Sequence, residues 1–176
     1  EFENVYVVDS RNLSTGIALL VLDAAERAEK GEAPQEIAAL MRETAEKVEA
    51  SFVIDTLFYL QKGGRISKTV AIAGSLLSIK PVVSVVDGEV ALLGKALSIL
   101  VRWWPTWSAL ASVTPLSAPE IVENVKAIIK ECGGFDEVLE TYAGCTVSSH
   151  CGPNTLGVLF LRRMIPRSIL LDKYCS

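Results

Sequence analysis

The sequence predicts an α/β fold, and three observations carry that prediction. Short β-branched runs, such as residues 5–8 and 81–86, alternate with longer segments whose apolar residues recur at helical spacing. Turn-forming residues separate them, the clearest being Asp87-Gly88 between two apolar runs, a hairpin signature. Half of the 176 residues are hydrophobic, which supplies a core for one domain and a piece of another.

Taken in order, residues 5–8 read as a buried parallel strand and 9–15 as a polar connection. Ser14 is placed to cap a helix whose inner face carries Ile17, Leu20, Val21, Ala24 and Ala28, and Gly31 to end it. Pro34 suits the first turn of a second helix, with Ile37, Leu40, Met41 and Thr44 facing inward. Strand, helix, helix reads as the close of a doubly wound domain whose earlier strands are expected outside this chain. A second domain is expected to begin with a strand at 51–54, followed by a short helix with Leu57, Phe58 and Leu60. Lys62-Gly63-Gly64-Arg65 breaks that helix. Ser67 is placed to cap a nearly all-apolar helix through Val70, Leu76 and Ile79, and the hairpin follows at 81–86 and 89–93. Ser117 and Glu120 form a capping box for a helix that buries Ile121, Val122, Val125, Ile128 and Ile129 and stops at Gly133-Gly134. Residues 138–142 read as a strand.

Between Lys95 and Leu116 the pattern fails. Trp103, Trp104 and Trp107 crowd around Pro105; a helix would expose indoles on every side, and a strand would hold an interior proline. No element is assigned there. The expected organisation is therefore 1–48 as the end of one α/β domain and 49–163 as a C-terminal α/β domain, atypical over 95–117. Residues 164–176 form an unassigned tail.

Composition excludes several functions. A net charge of −4 with no basic run gives no reason to expect nucleic acid or a membrane surface. The most hydrophobic window, 97–113, is interrupted by Arg102 and Pro105 and makes a poor spanning helix. No export leader is read, and the cysteines at 132, 145, 151 and 175 lack CxxC spacing, so reduced thiols in the cytoplasm are expected. With one histidine in the chain, neither a metal site nor a cofactor is expected.

The stretch 144–163, GCTVSSHCGPNTLGVLFLRR, gathers the polar groups of most interest. It reads as strand, polar turn and strand, with Ser148, Ser149 and His150 at the mouth of the turn. Adjacent His150 and Cys151 invite a thiol-enzyme reading, but neighbours on an extended strand point to opposite faces, out of reach for proton transfer. Cys132 is a sequence-distant alternative that nothing singles out. His150 is left either to close the turn or to bind a ligand. Lys62-Gly63-Gly64-Arg65 is by itself a solvated turn and lacks the spacing of a phosphate loop. Asp9-Ser10 and Asp55-Thr56 end strands, where ligand-facing residues and helix caps both sit.

Particular words decide between these readings. VDSRNLSTG at 8–16, FVIDTLFYLQKGGRIS at 52–67, GSLLSIKP at 74–81 with the Asp87-Gly88 hairpin, and HCGPNTLG at 150–157 together resemble the DegV family. The resemblance covers 5–84 and 118–163 and implies a bacterial protein that binds a long-chain fatty acid without being an enzyme itself. Such a protein buries the acyl tail between two α/β domains and presents the carboxylate to a separate fatty acid kinase, which makes an acyl phosphate, a phospholipid precursor. By this resemblance His150 belongs to the head-group site, with Arg65 and Lys62 on the basic side of its opening, where the kinase docks. Ser149 is added as a neighbouring hydroxyl. Burying about fifteen carbons at ~0.8 kcal/mol per methylene supplies roughly 12 kcal/mol before ordering costs. The carboxylate must then find donors. The family's N-terminal hydroxyl motifs and its basic segment after the hairpin have no counterpart in this chain, where only Lys95 remains near the latter. A chain so truncated is expected to retain lipid weakly and to self-associate through apolar surface. The competing reading is an interaction or regulatory domain of the same fold that binds no lipid.

Overall fold

A computed structural model of the chain describes residues 2–67, 80–95, 107–115, 119–132, 135 and 137–162. Its helices are α1 (Thr15–Glu29), α2 (Pro34–Ala45), α3 (Phe58–Lys62), α4 (Pro119–Cys132) and α5 (Cys145–Cys151). Its strands are β1 (Val48–Val53), β2 (Pro81–Val86), β3 (Glu89–Lys95), β4 (Trp107–Pro115), β5 (Glu137–Glu140) and β6 (Leu156–Arg162). Among the described residues the strands form one sheet in the order β3-β2-β1-β6-β4-β5. Neighbours run antiparallel except for β4 and β5. The fold is mixed α/β, as the alternation of periods predicts. Asp87 and Gly88 take φ of 52° and 82°, the two positive values that a tight hairpin turn with the right twist requires.

The alternation of β6 builds both faces of the core. Leu159, fully buried, joins Ala50, Phe52 and Ile54 of the β1 segment and Val83 and Val85 of β2 beneath Leu19 and Leu20 of α1 and Met41 and Ala45 of α2. Its neighbours Leu156 and Val158 point the other way, to Val122 and Ile129 of α4, while Phe160 meets Phe135 edge to face at 6.3 Å. β1 and β6 are thus central and covered by helices on both sides.

Four expectations change. Ile17 and Val21 of α1 and Ile121 and Ile128 of α4, placed on inner faces by their spacing, are exposed. Residues 5–8 do not form a strand: Val5 and Val7 are largely exposed and, among the described residues, the segment has no ladder partner. A strand needs a neighbour for its N–H and C=O groups; here Arg42 Nη2, donating to Val7 O at 3.2 Å, Gln35 Nε2, donating to Tyr6 OH at 2.6 Å, and packing of Val8 against the core tether the segment instead. Ser14 stands at the N-cap of α1 with φ of 50° and makes no side-chain capping bond. Residues 145–151 are helical, not extended. Gly144 provides the extended residue before the first turn, and the hydroxyls bond backward, Ser148 Oγ to Ala143 O at 3.3 Å and Ser149 Oγ to Thr146 O at 2.9 Å. A run this short fits either period, so its spacing could not decide.

The stretch that resisted assignment contains a strand. β4 lies between β6 and β5, with Pro115 at its last position and Pro105 before it in sequence. The expected apolar helix within 68–79, the cap at Ser117, the stop at Gly133-Gly134 and the tail 164–176 fall outside the described residues.

Candidate functional site

The site is assembled where β1 ends and β6 begins. Their antiparallel register, Val53 opposite Leu156, carries Asp55 and Asn154 to the same edge of the ladder. Asn154 Nδ2 donates to Asp55 Oδ2 at 2.6 Å, and Lys80 Nζ reaches Asp55 Oδ1 at 2.8 Å. One carboxylate therefore ties together three of the motifs singled out in the sequence. The bonds from Lys80 and then Asn154 hold the Asp55 carboxyl below the usual carboxylate range. A depressed carboxyl contributes stability that is present above its unfolded value, about pH 4, and is lost as pH falls through the folded one. Asp55→Asn is accordingly expected to flatten the acid limb of a stability-against-pH curve; an unchanged limb would show that the contacts carry no free energy.

From this edge the chain turns into α3 on one side and arrives from α5 on the other, and the two short helices pack together. Two glycines allow the approach. Gly152 has φ of 79° and lies against the Tyr59 ring, which leaves no room for a side chain. Gly63 has an ordinary φ of −75°, but a Cβ there would fall inside the contact radius of His150 Nδ1. Its glycine is a spatial requirement, set by the imidazole. Thr155 Oγ1, buried, donates to the carbonyls of Cys151 and Gly152 at 3.2 and 3.0 Å and closes the end of α5.

The helices and the sheet enclose a cavity of about 200 Å³. Leu13, Phe52, Leu60, Val83, Val85 and Val90 supply apolar walls, while Arg65 and His150 bring basic groups to it. Thr146, Val147, His150 and Cys151 share one face of α5 at helical spacing. Arg65 is exposed and donates from Nη1 to Gly63 O at 2.7 Å, which holds its guanidinium over the same turn that touches His150. Ser149 is off this face: it is exposed, and its hydroxyl is engaged with Thr146 O. Lys62 is also exposed and lies 5.6 Å from the centroid of the Phe58 ring, outside the cavity. His150 and Arg65 are thus brought together, and Ser149 and Lys62 are not.

The thiol reading loses its geometric premise, since the Cys-His pair is helical, but a different obstacle replaces it. Cys151 is buried, and burial pushes its thiol up, away from the nucleophilic thiolate. A larger concavity of about 680 Å³ lies between residues 4–10 and helices α1 and α2, with Val5, Val8, Leu20 and Ile37 among its walls. Its polar groups are those of Asn4, Tyr6 and Ser10, and no carboxylate, imidazole or cation is among its lining residues. The sequence reading missed the role of Gly63 and the Asp55 clamp. The only signal for either was the presence of separate motifs whose contact the fold alone reveals.

Comparison with known proteins adds an independent finding. The family model described as "Uncharacterised protein, DegV family" matches residues 1–99. A DegV domain-containing protein of Caldanaerobacter subterraneus is 29% identical over 167 residues, which cover 89% of this chain and 60% of that protein. A fatty-acid-binding DegV family protein from Thermus thermophilus superposes with a TM-score of 0.80 at 27% identity, covering 90% of this chain and 61% of the other. The fatty acid kinase B3 protein of Streptococcus pneumoniae, loaded with linoleic acid, shares the fold with a TM-score of 0.72 at 19% identity, over 84% and 56% of the two chains. The chain spans about three fifths of the length of the relatives it matches. With more than half of its residues matched by one family model, and with that fold, the chain belongs to the DegV family.

Proposed function

We propose that this chain binds a long-chain fatty acid, with the tail in the apolar cavity and the carboxylate at His150 and Arg65, and presents that carboxylate to a separate fatty acid kinase. The observation that carries the reading is the cavity itself: walls of Leu, Val and Phe, with an imidazole and a guanidinium at its rim. Apolar walls reward burial of methylenes, and the two nitrogen-bearing groups provide the donors a carboxylate needs. The fatty-acid-binding relative from Thermus thermophilus supports the ligand class. The kinase B3 protein supports the class of partner. Lys62 and Arg65 stand beside the opening as the basic contacts for that partner, and Arg65 serves both roles. The protein acts as a carrier in the cytoplasm with no cofactor and no bond-making of its own. The exposed Val5, Val7, Ile17 and Val21 favour self-association of the chain.

Titration with a fatty acid tests this reading. His150→Ala and Arg65→Ala are each expected to weaken binding about tenfold or more, since a hydrogen bond to a charged group contributes ~1.5–3 kcal/mol. Ser149→Ala is expected to leave affinity unchanged, because its hydroxyl already serves the helix. Lys62→Ala is expected to keep affinity while slowing acyl phosphate formation by an added bacterial fatty acid kinase with ATP. Equal affinity in the unaltered chain and His150→Ala would remove the head-group assignment.

A further inference from the structure

We infer that the Phe52 ring, seated on Gly157, sets how long an acyl chain the cavity accepts. The inference rests on the fatty-acid reading above and adds the residue pair that determines specificity. Phe52 of β1 stands opposite Gly157 of β6 in the ladder. A Cβ on Gly157 would lie 2.8 and 2.9 Å from Cδ1 and Cε1 of the ring, and 3.3 Å from Leu159 Cδ1. The ring therefore lies across the backbone of β6 at a position that has no side chain. Gly157 has no positive φ to explain it. Glycine inside a central strand weakens the strand and marks a close approach, and here the group that approaches is the Phe52 ring.

That ring also lines the cavity. The other sheet residues on its wall, Val83, Ser84, Val85 and Val90, are all smaller, so Phe52 takes up the most space on this side. Its position depends on the missing side chain at 157. Trimming the ring deepens the cavity, whereas adding a methyl group at 157 drives the ring inward and makes it shallower. A filled apolar pocket discriminates by about tenfold or more for each methylene that no longer fits.

The test is a titration of the chain and its variants with saturated fatty acids of increasing length. Phe52→Val is expected to raise the long-to-short affinity ratio about tenfold, and Gly157→Ala to lower it by a similar factor. The double variant Phe52→Val/Gly157→Ala, in which the new methyl fills space the ring has left, is expected to fold well and return the ratio towards that of the unaltered chain. Phe52→Leu, a milder change that keeps the core filled, is expected to move the ratio in the same direction as Phe52→Val by a smaller factor. Affinity ratios that stay constant across Phe52→Leu and the folded single variants overturn this inference and leave the fatty-acid reading standing. Failure of the unaltered chain to bind any of the acids removes that reading and the inference with it.

Discussion

Replacing Glu49 by alanine is expected to cost about 3–5 kcal/mol of stability, more than any other single change considered for this chain. Glu49 and Arg162 sit on the adjacent central strands β1 and β6, with side chains only 9% and 6% exposed. Arg162 Nε lies 2.9 Å from Glu49 Oε1, and Nη2 donates to Glu46 O at 3.0 Å. The Nε contact is an ion pair out of hydrogen-bond alignment, and Nη1 has no hydrogen-bond partner among the described residues. Removing the carboxylate leaves a guanidinium buried without its counter-charge, and that is the expensive state. Replacing both partners by leucine removes the charge altogether and is expected to be near neutral. Urea unfolding of Glu49→Leu, Arg162→Leu and the double leucine variant measures the coupling. A cost below about 1 kcal/mol for Glu49→Ala would mean that water reaches Arg162 and that the pair behaves as a surface contact.

Gly63→Ala is expected to lower fatty-acid affinity about tenfold or more while changing global stability by no more than about 1 kcal/mol. The added methyl would collide with the His150 imidazole, a side chain that can swing away, so the fold survives and the head-group donor is displaced. Gly64 provides the contrast. It has φ of 71° and open space around its Cα, so Gly64→Ala strains the backbone by about 1 kcal/mol or more and leaves the site intact. Adjacent glycines thus give opposite signatures, one in binding and one in stability. If the two variants behaved alike in a titration, the contact between Gly63 and His150 would not govern the site.

Most of the fold was legible because its signals are local. The Asp87-Gly88 turn, the apolar runs of β1, β2 and β6, and the spacing of α1, α2 and α4 each depend on neighbours in sequence. What escaped depends on partners far along the chain. Residues 5–8 have the composition of a strand without a ladder to join, whereas β4, next to a proline and tryptophans, is held as a strand by β5 and β6. α5 is too short for its period to show, and that error had consequences at the site. It put Ser149 beside His150 at the mouth of a turn, whereas the helix turns Ser149 away and brings Thr146 and Val147 to the cavity instead. The DegV-like words pointed to His150 and Arg65, which the structure places on one cavity. They did not reveal that Gly63 must be small for His150 to sit there.

One measurement addresses the central claim most directly, because the chain has one histidine and so one imidazole to observe. In nuclear magnetic resonance, a fatty acid isotopically labelled at its carboxyl carbon should show through-space contact with the His150 ring and shift its resonances on binding. Contact between ring and carboxyl carbon, lost in Gly63→Ala, is the result this account requires. A bound fatty acid whose carboxyl carbon leaves the His150 resonances unmoved would contradict it.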